Sequence, residues 1–309
     1  MNVVVCENVM RRFGEVTAVD DVSLSISEGE IFGLVGPNGA GKTTLLNCIE
    51  GLDEPTSGSI SVLDRHPVKD GHELTRRIGV QLQSASLPPH ITVSEAMRLF
   101  SALYDDPVPW EDLLRTLGIA DRKNARVARL SGGERQRVFI ALALLHQPEL
   151  VFFDELTTAL DPQARRAMWD VVETIREQGT TVVLTTHYME EAERLCDRVG
   201  IVDQGKMIAL DTVPALIRDH AGDSRARLHL AEKPPEGIDL DLGLIESVTV
   251  SRVDGEHLVV QGYGGFLQDV LAVLTTRGLR LTDLRATSPG LEDVFLNLTG
   301  REMRVKGES

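Results

Sequence analysis

One octapeptide, Gly36-Pro37-Asn38-Gly39-Ala40-Gly41-Lys42-Thr43, constrains this chain more than any other segment. It has the spacing GxxxxGK[ST], follows an apolar run ending at Val35 and opens the apolar segment 44–49. A strand that turns through glycines into a helix points successive backbone N–H groups at one place, and the positive end of the helix adds to that potential. Such a loop is built to hold phosphate oxygens. The spacing lets Lys42 reach β and γ phosphates and Thr43 Oγ ligate Mg²⁺, with Gly36, Pro37, Asn38, Gly39, Ala40, Gly41 and Thr44 completing the cradle of a nucleotide site.

A second segment, Leu150-Val151-Phe152-Phe153-Asp154-Glu155, is an apolar strand that delivers two acids at its carboxyl end. Ligands bind at that edge of open parallel sheets. Asp154 suits Mg²⁺, directly or through water. Glu155, one residue on, points elsewhere and can polarise an attacking water as a general base.

Short apolar runs alternate with periodic segments through the first two-thirds of the chain, the pattern of a parallel sheet flanked by helices. Strands are expected at residues 30–35, 150–154, 181–186 and 198–203, the last entering a turn at Gln204-Gly205. Residues 3–7 and 22–26 alternate apolar with polar and read as half-exposed antiparallel strands. Residues 92–130 become helical, interrupted by Pro107 and Pro109, as an inserted helical segment would be. Beyond residue 219, segments 248–253 and 257–261 flank Asp254-Gly255, a hairpin signal. Helical spacing over 266–274, a strand at 280–284 and a last helix over 290–298 complete a small α+β domain. In that helix Val294, Phe295 and Leu298 share one face.

The chain has 309 residues, 42% of them hydrophobic, with 32 Lys and Arg against 47 Asp and Glu, for a net charge of −15. That length accommodates one large or two modest soluble domains. The acidic balance opposes sequence-independent nucleic-acid binding, which is driven by Lys and Arg on phosphates, and no nucleic-acid partner is expected. Cys6, Cys48 and Cys196 are far apart and lack metal-ligand spacing, so they read as buried thiols of a reducing compartment. The most apolar stretch, 138–145, falls far short of the ~20 residues that cross a bilayer, and any membrane role is therefore expected to be indirect.

Leu130-Ser131-Gly132-Gly133-Glu134-Arg135-Gln136 opens an apolar helix running to Leu145. Ser131 is an N-cap, and the two glycines bare a helix N-terminus that forms a second anion site. This LSGGERQR segment, with the phosphate loop before it and the FFDE segment after it, resembles the nucleotide-binding subunits of ATP-binding-cassette (ABC) transporters over residues 1–215. The resemblance implies an α/β fold of the P-loop NTPase type, with a parallel core sheet, an antiparallel β subdomain and a helical subdomain at about 86–135. It places an ATPase domain at 1–218 and a regulatory or dimerisation domain at 219–309.

Further residue roles follow from the resemblance. Phe13, just before Gly14, matches the aromatic that stacks on adenine. Gln83 matches the glutamine that senses Mg²⁺ and the membrane partner, with Gln81 two residues earlier as a competitor. His187, after Thr185-Thr186, matches the switch histidine at the γ-phosphate, and Ala159-Leu160-Asp161 matches the loop crossing between protomers. Leu156 departs from the family, which has proline after the glutamate. The segment 289–300, with the sequence PGLEDVFLNLTG, is similar to the tail of daunorubicin-resistance-type exporter ATPases.

Family sites are composite, so the resemblance implies a head-to-tail dimer in which each phosphate loop meets Ser131 and Gly133 of the other copy. It also implies ATP and Mg²⁺ as cofactors and a separately encoded permease that holds the subunit at the cytoplasmic face of the membrane. A drug-like or other small molecule would be exported. The alternative is a non-transport ABC ATPase acting as a nucleotide-driven regulatory module. Such relatives usually carry two cassettes or a long coiled coil, which this chain lacks.

Overall fold

The computed structural model describes residues 1–81, 86–158 and 160–301. The chain divides into two compact units, Met1–Val213 and Pro214–Glu302.

In the first unit, β1 (Asn2–Phe13), β2 (Val16–Ser27), β3 (Ile31–Val35), α1 (Lys42–Glu50), β4 (Ser57–Val62), α2 (Gly71–Leu74) and β5 (Ile78–Gln81) come first. Then follow α3 (Val93–Ser101), α4 (Trp110–Thr116), α5 (Gly132–Leu144), β6 (Leu150–Asp154), α6 (Pro162–Glu177), β7 (Thr181–Thr186), α7 (Met189–Leu195), β8 (Arg198–Asp203) and β9 (Lys206–Thr212). A six-stranded sheet has the order β5-β6-β7-β3-β8-β9. All its pairings are parallel except β8 with β9. Every residue of β3, β6 and β7 is buried, which is why these strands read as largely apolar runs. A separate antiparallel sheet, β2-β1-β4, carries period-2 burial, with Val4, Val22 and Ile26 wholly inside. Helices α3, α4 and α5 form the inserted helical segment, and α3 opens with a Thr92–Glu95 capping box. The parallel core sheet, antiparallel sheet and helical insertion are those expected from the sequence.

After α8 (Val213–His220), the second unit runs β10 (Ser224–Leu230), α9 (Ile238–Gly243), β11 (Val248–Asp254), β12 (His257–Gly262), α10 (Phe266–Thr276), β13 (Leu281–Thr287) and α11 (Leu291–Thr299). Its sheet is antiparallel with the order β11-β12-β10-β13. The βαββαβ succession in that order is the ferredoxin-like arrangement. Ala226, Leu228, Leu258 and Val260 face Ile238, Leu242, Phe266 and Val270 in one core.

Several boundaries differ from those read in the sequence. The hairpin loop is Gly255-Glu256 rather than Asp254-Gly255, because Asp254 still pairs with His257 and Gly255 takes φ +65 at the first loop position. Strands β1 and β2 are each 12 residues long, extending well beyond the two short alternating runs. Strand β10, central in its sheet, was not read at all. In α11, Val294 and Phe295 are buried as expected and Leu291 joins them, whereas Leu298 is half-buried.

Candidate active site

Four neighbouring strands bring their carboxyl ends together. The phosphate loop leaves β3, Asp154 and Glu155 end β6, His187 follows β7, and Gln204-Gly205 follows β8. The pairings Asp154↔Thr185 and Val35↔Thr186 fix their relative heights.

Two loop glycines are dictated by their surroundings. A Cβ on Gly36 would stand 2.1 Å from Val202 O, and one on Gly41, at φ +103, would stand 2.2 Å from Ala18 O. Helix α1 begins at Lys42 without a side-chain cap at its N-terminus, so its first N–H groups are left for an anion. By contrast, Ser131 caps α5: its Oγ accepts from Glu134 N at 3.3 Å, and Glu134 Oε2 accepts from Ser131 N at 2.8 Å. Lys42 is only 4% exposed, and its Nζ donates to Gly36 O at 2.7 Å and Pro37 O at 3.0 Å. Burial pulls this ammonium below the ordinary lysine value, opposed by the charges of Glu155 and Asp154.

The two acids are held differently. Thr185 Oγ1 donates to Asp154 Oδ1 at 2.5 Å, and Thr43 Oγ1 donates to the same oxygen at 3.2 Å. Burial pushes the Asp154 carboxyl up, and these hydroxyls restrain it. Glu155 takes φ +50, a conformation uncommon outside glycine, and its N–H is fixed by Thr185 Oγ1 at 3.0 Å and Thr185 O at 3.2 Å. Its carboxylate lies 3.5 Å from His187 Nδ1 and accepts from Thr158 Oγ1 at 3.3 Å. His187 foremost, then Lys42, holds Glu155 below the usual carboxylate range, against the effect of burial. Glu155 is therefore ionised at neutral pH. The next residue, Leu156, is 3% exposed.

A cavity of about 530 Å³ is lined by Lys42, Thr43, Thr44, Glu155 and the loop residues Asn38 and Gly39, with Val16, Ala18 and Gly205 opposite. The cradle fits a phosphate chain, since the N-terminus of α1 has no side-chain cap and the ammonium of Lys42 lies at the loop. Thr43 Oγ1 and Asp154 Oδ1 form an all-oxygen donor pair at the spacing a small hard cation such as Mg²⁺ accepts. Phe13 does not line this cavity. It is 48% exposed, with the Arg11 guanidinium 4.4 Å above its ring. Gln83 and Ala159 lie outside the described residues, and Gln81 is buried. Ser131 and Gly133 line a different cavity of about 490 Å³, beside Arg122, Glu134 and Arg137. Gly132 is exposed on the same turn.

Sequence reasoning missed two groups. Thr185 bonds both acids, and nothing in the sequence sets its hydroxyl apart from those of Thr181 and Thr186 in the same strand. Glu50, ending α1, is 8% exposed with neither carboxylate oxygen hydrogen-bonded among the described residues, and burial pushes it up to about 8. Among the described residues no helix is long and apolar enough to cross a membrane.

Known proteins share this organisation. A family model described as ABC transporter matches residues 19–158. The linearmycin resistance ATP-binding protein of Bacillus subtilis (strain 168) is 35% identical over 311 residues, covering 96% of this chain and 98% of that protein. The Nod factor export ATP-binding protein I of Bradyrhizobium diazoefficiens is 38% identical over 310 residues, covering 96% and 95%. Among solved structures, an ATP-binding subunit of an ABC transporter superposes with TM-score 0.63 at 28% identity, covering 70% of this chain and 92% of its own. A dimeric ATP-binding cassette in a post-hydrolysis state, bound to ADP and Pi, superposes with TM-score 0.60 at 30% identity, covering 68% and 98%. With the phosphate cradle, the paired acids and the capped LSGG helix in place, the chain belongs to the ABC transporter family, as an ATP-binding subunit of the exporter type.

Proposed function

We propose that this subunit hydrolyses MgATP as a head-to-tail pair of copies and couples that cycle to export of a drug-like or other small molecule through a separate permease. The observation that carries this reading is the ionised Glu155, held between His187 and Thr185 at the mouth of an uncapped phosphate cradle. Mg²⁺, when bound, neutralises phosphate charge, and Thr43, Asp154 and Gln83 are the residues that would hold it. Lys42, Thr44 and the loop from Gly36 to Gly41, through the N–H groups of Asn38, Gly39 and Gly41, bind and orient the phosphates. Phe13 offers an exposed ring for adenine. Glu155 takes a proton from the attacking water, and His187 positions the carboxylate and contacts the γ-phosphate.

Ser131, Gly132 and Gly133 would complete the site of the second copy, which accords with Ser131 and Gly133 lining a cavity separate from that of Lys42. The second unit serves dimerisation or regulation. The names of the relatives, an antibiotic-resistance protein and an export protein, support an export role and association with the cytoplasmic face of the membrane through the permease.

The test is co-purification from solubilised membranes with the polytopic protein encoded beside this gene, followed by ATPase assay in vesicles. Stable association and ATP-dependent movement of a small molecule are expected. A subunit that hydrolyses ATP but neither associates nor drives transport would contradict the transport reading.

A further inference from the structure

Strand β13 lies at an edge of the second unit's sheet, paired to β10 on one side only. From Thr282 to Thr287 every residue is exposed, and Leu284 is a large apolar side chain at 36% exposure. Exposed edges are ordinarily blunted by proline, lysine or a bulge, because their free N–H and C=O groups recruit another strand. The sequence of β13, LTDLRAT, contains neither proline nor lysine, and its register with β10 shifts only at the Leu281 end.

We propose that β13 pairs antiparallel with β13 of a second copy, about a twofold axis through Leu284. The proposal rests on reading this unit as a dimerisation domain. Antiparallel pairing about Leu284 sets that residue opposite its own copy, Asp283 opposite Arg285 and Arg285 opposite Asp283, with Thr282 facing Ala286. Directly opposed side chains share a sheet face, so two opposite-charge pairs form on one face and a Leu–Leu contact on the other. Asp283 and Arg285 now form only an exposed contact within their own strand, Nε to Oδ2 at 3.3 Å, which the pairing exchanges for two across the axis.

The other edge, β11, has a comparable centre only at Val253, where Arg252 would oppose Asp254. That centre lies one residue from the end of the strand and Asp254 already faces Arg227 at 3.7 Å, whereas β13 pairs along all seven residues about Leu284. The register of β11 is also shifted between Val248 and Val250. One seven-residue strand buries less than a standard interface, so this contact alone gives a weak dimer. Its effect is to keep two copies at high effective concentration between nucleotide-driven closures. The β13 pairing is isologous, the same strand serving on both copies.

The experiment measures the dimer dissociation constant of the full nucleotide-free chain by sedimentation equilibrium. Asp283→Arg and Arg285→Asp each place like charges opposite one another and should weaken the dimer about tenfold. The double variant restores opposite charges and should return to within about threefold of the parent. Unchanged circular dichroism and thermal unfolding in all four proteins control for folding of the second unit, and unchanged ATP affinity does so for the first. In addition, Leu284→Cys should be joined to its own copy by a short bifunctional thiol reagent, because Cys6, Cys48 and Cys196 are 2%, 0% and 8% exposed.

A nucleotide-free chain that stays monomeric, or a dimer indifferent to both single reversals, would overturn the pairing. The ATP-loaded Glu155→Gln chain provides a separate arm: its dimer runs through Ser131 and Gly133 and should form in every charge variant. Its failure in the parent would count against the head-to-tail reading, while the nucleotide-free dissociation constants judge β13.

Discussion

His187 Nδ1 stands 3.5 Å from Glu155 Oε1, with each side chain 9% exposed. That proximity, more than any other contact, holds Glu155 below the usual carboxylate range and keeps it ionised. Removing the base by Glu155→Gln should slow hydrolysis by ~10²–10³-fold while leaving ATP affinity within a few-fold. His187→Ala removes the largest influence lowering the glutamate and leaves burial, which raises it. The acid limb of the kcat profile should therefore move to higher pH in His187→Ala. An unmoved limb would mean that His187 does not tune Glu155.

Thr185 offers a second test, because one hydroxyl donates to Asp154 and accepts the N–H of Glu155. Thr185→Val strips a hydrogen bond from a buried carboxylate and should cost about 1–3 kcal/mol of stability. It also removes a restraint on a group that burial already raises, so Asp154 binds its proton more readily as pH falls. Hydrolysis should drop more at pH 6 than at pH 8, and Thr185→Ser should restore both. Equal loss at the two pH values would assign Thr185 to packing alone.

Glu50 makes a stability prediction with a definite sign. Its folded-state value of about 8 lies above the 4.5 of an unperturbed glutamate, so between those values the folded chain holds a proton that the unfolded chain has released. Stability therefore falls as pH rises through this window. Glu50→Gln keeps the neutral shape and removes the penalty. Its advantage in thermal or urea unfolding should grow from pH 5 to pH 8.5, reaching at most about 5 kcal/mol. A constant difference across that range would contradict the burial argument.

What the sequence disclosed and withheld follows from how local each constraint is. The phosphate loop is legible because its whole spacing lies within eight residues, even though Gly36 and Gly41 answer to Val202 O and Ala18 O far off in the chain. Strands β3, β6 and β7 are legible because burial on both faces leaves them mostly apolar, with Asp154 and the threonines of β7 as the polar exceptions. Thr185 was quoted in its motif without a role, since only the parallel register of β6 and β7 sets it beside Asp154. Strand β10 does alternate, with Ala226, Leu228 and Leu230 inward, but Arg225, Arg227 and His229 on its other face disguised it as a polar linker. Glu50 gave no signal, because its burial depends on elements that close around the end of α1. Phe13 follows from likeness of motif alone, and Val16 and Ala18, which line the cavity beside the loop, carry no motif that marks them.

The shared-site arrangement is the claim on which the rest depends, and the mass of the ATP-loaded Glu155→Gln chain by light scattering tests it most directly. With MgATP this protein should be a dimer. The additional change Ser131→Arg, which sets a long cation on the turn that caps α5, should leave a monomer that still binds ATP. A Glu155→Gln chain that binds ATP and remains monomeric, or a dimer that persists with Ser131→Arg, would contradict the composite site.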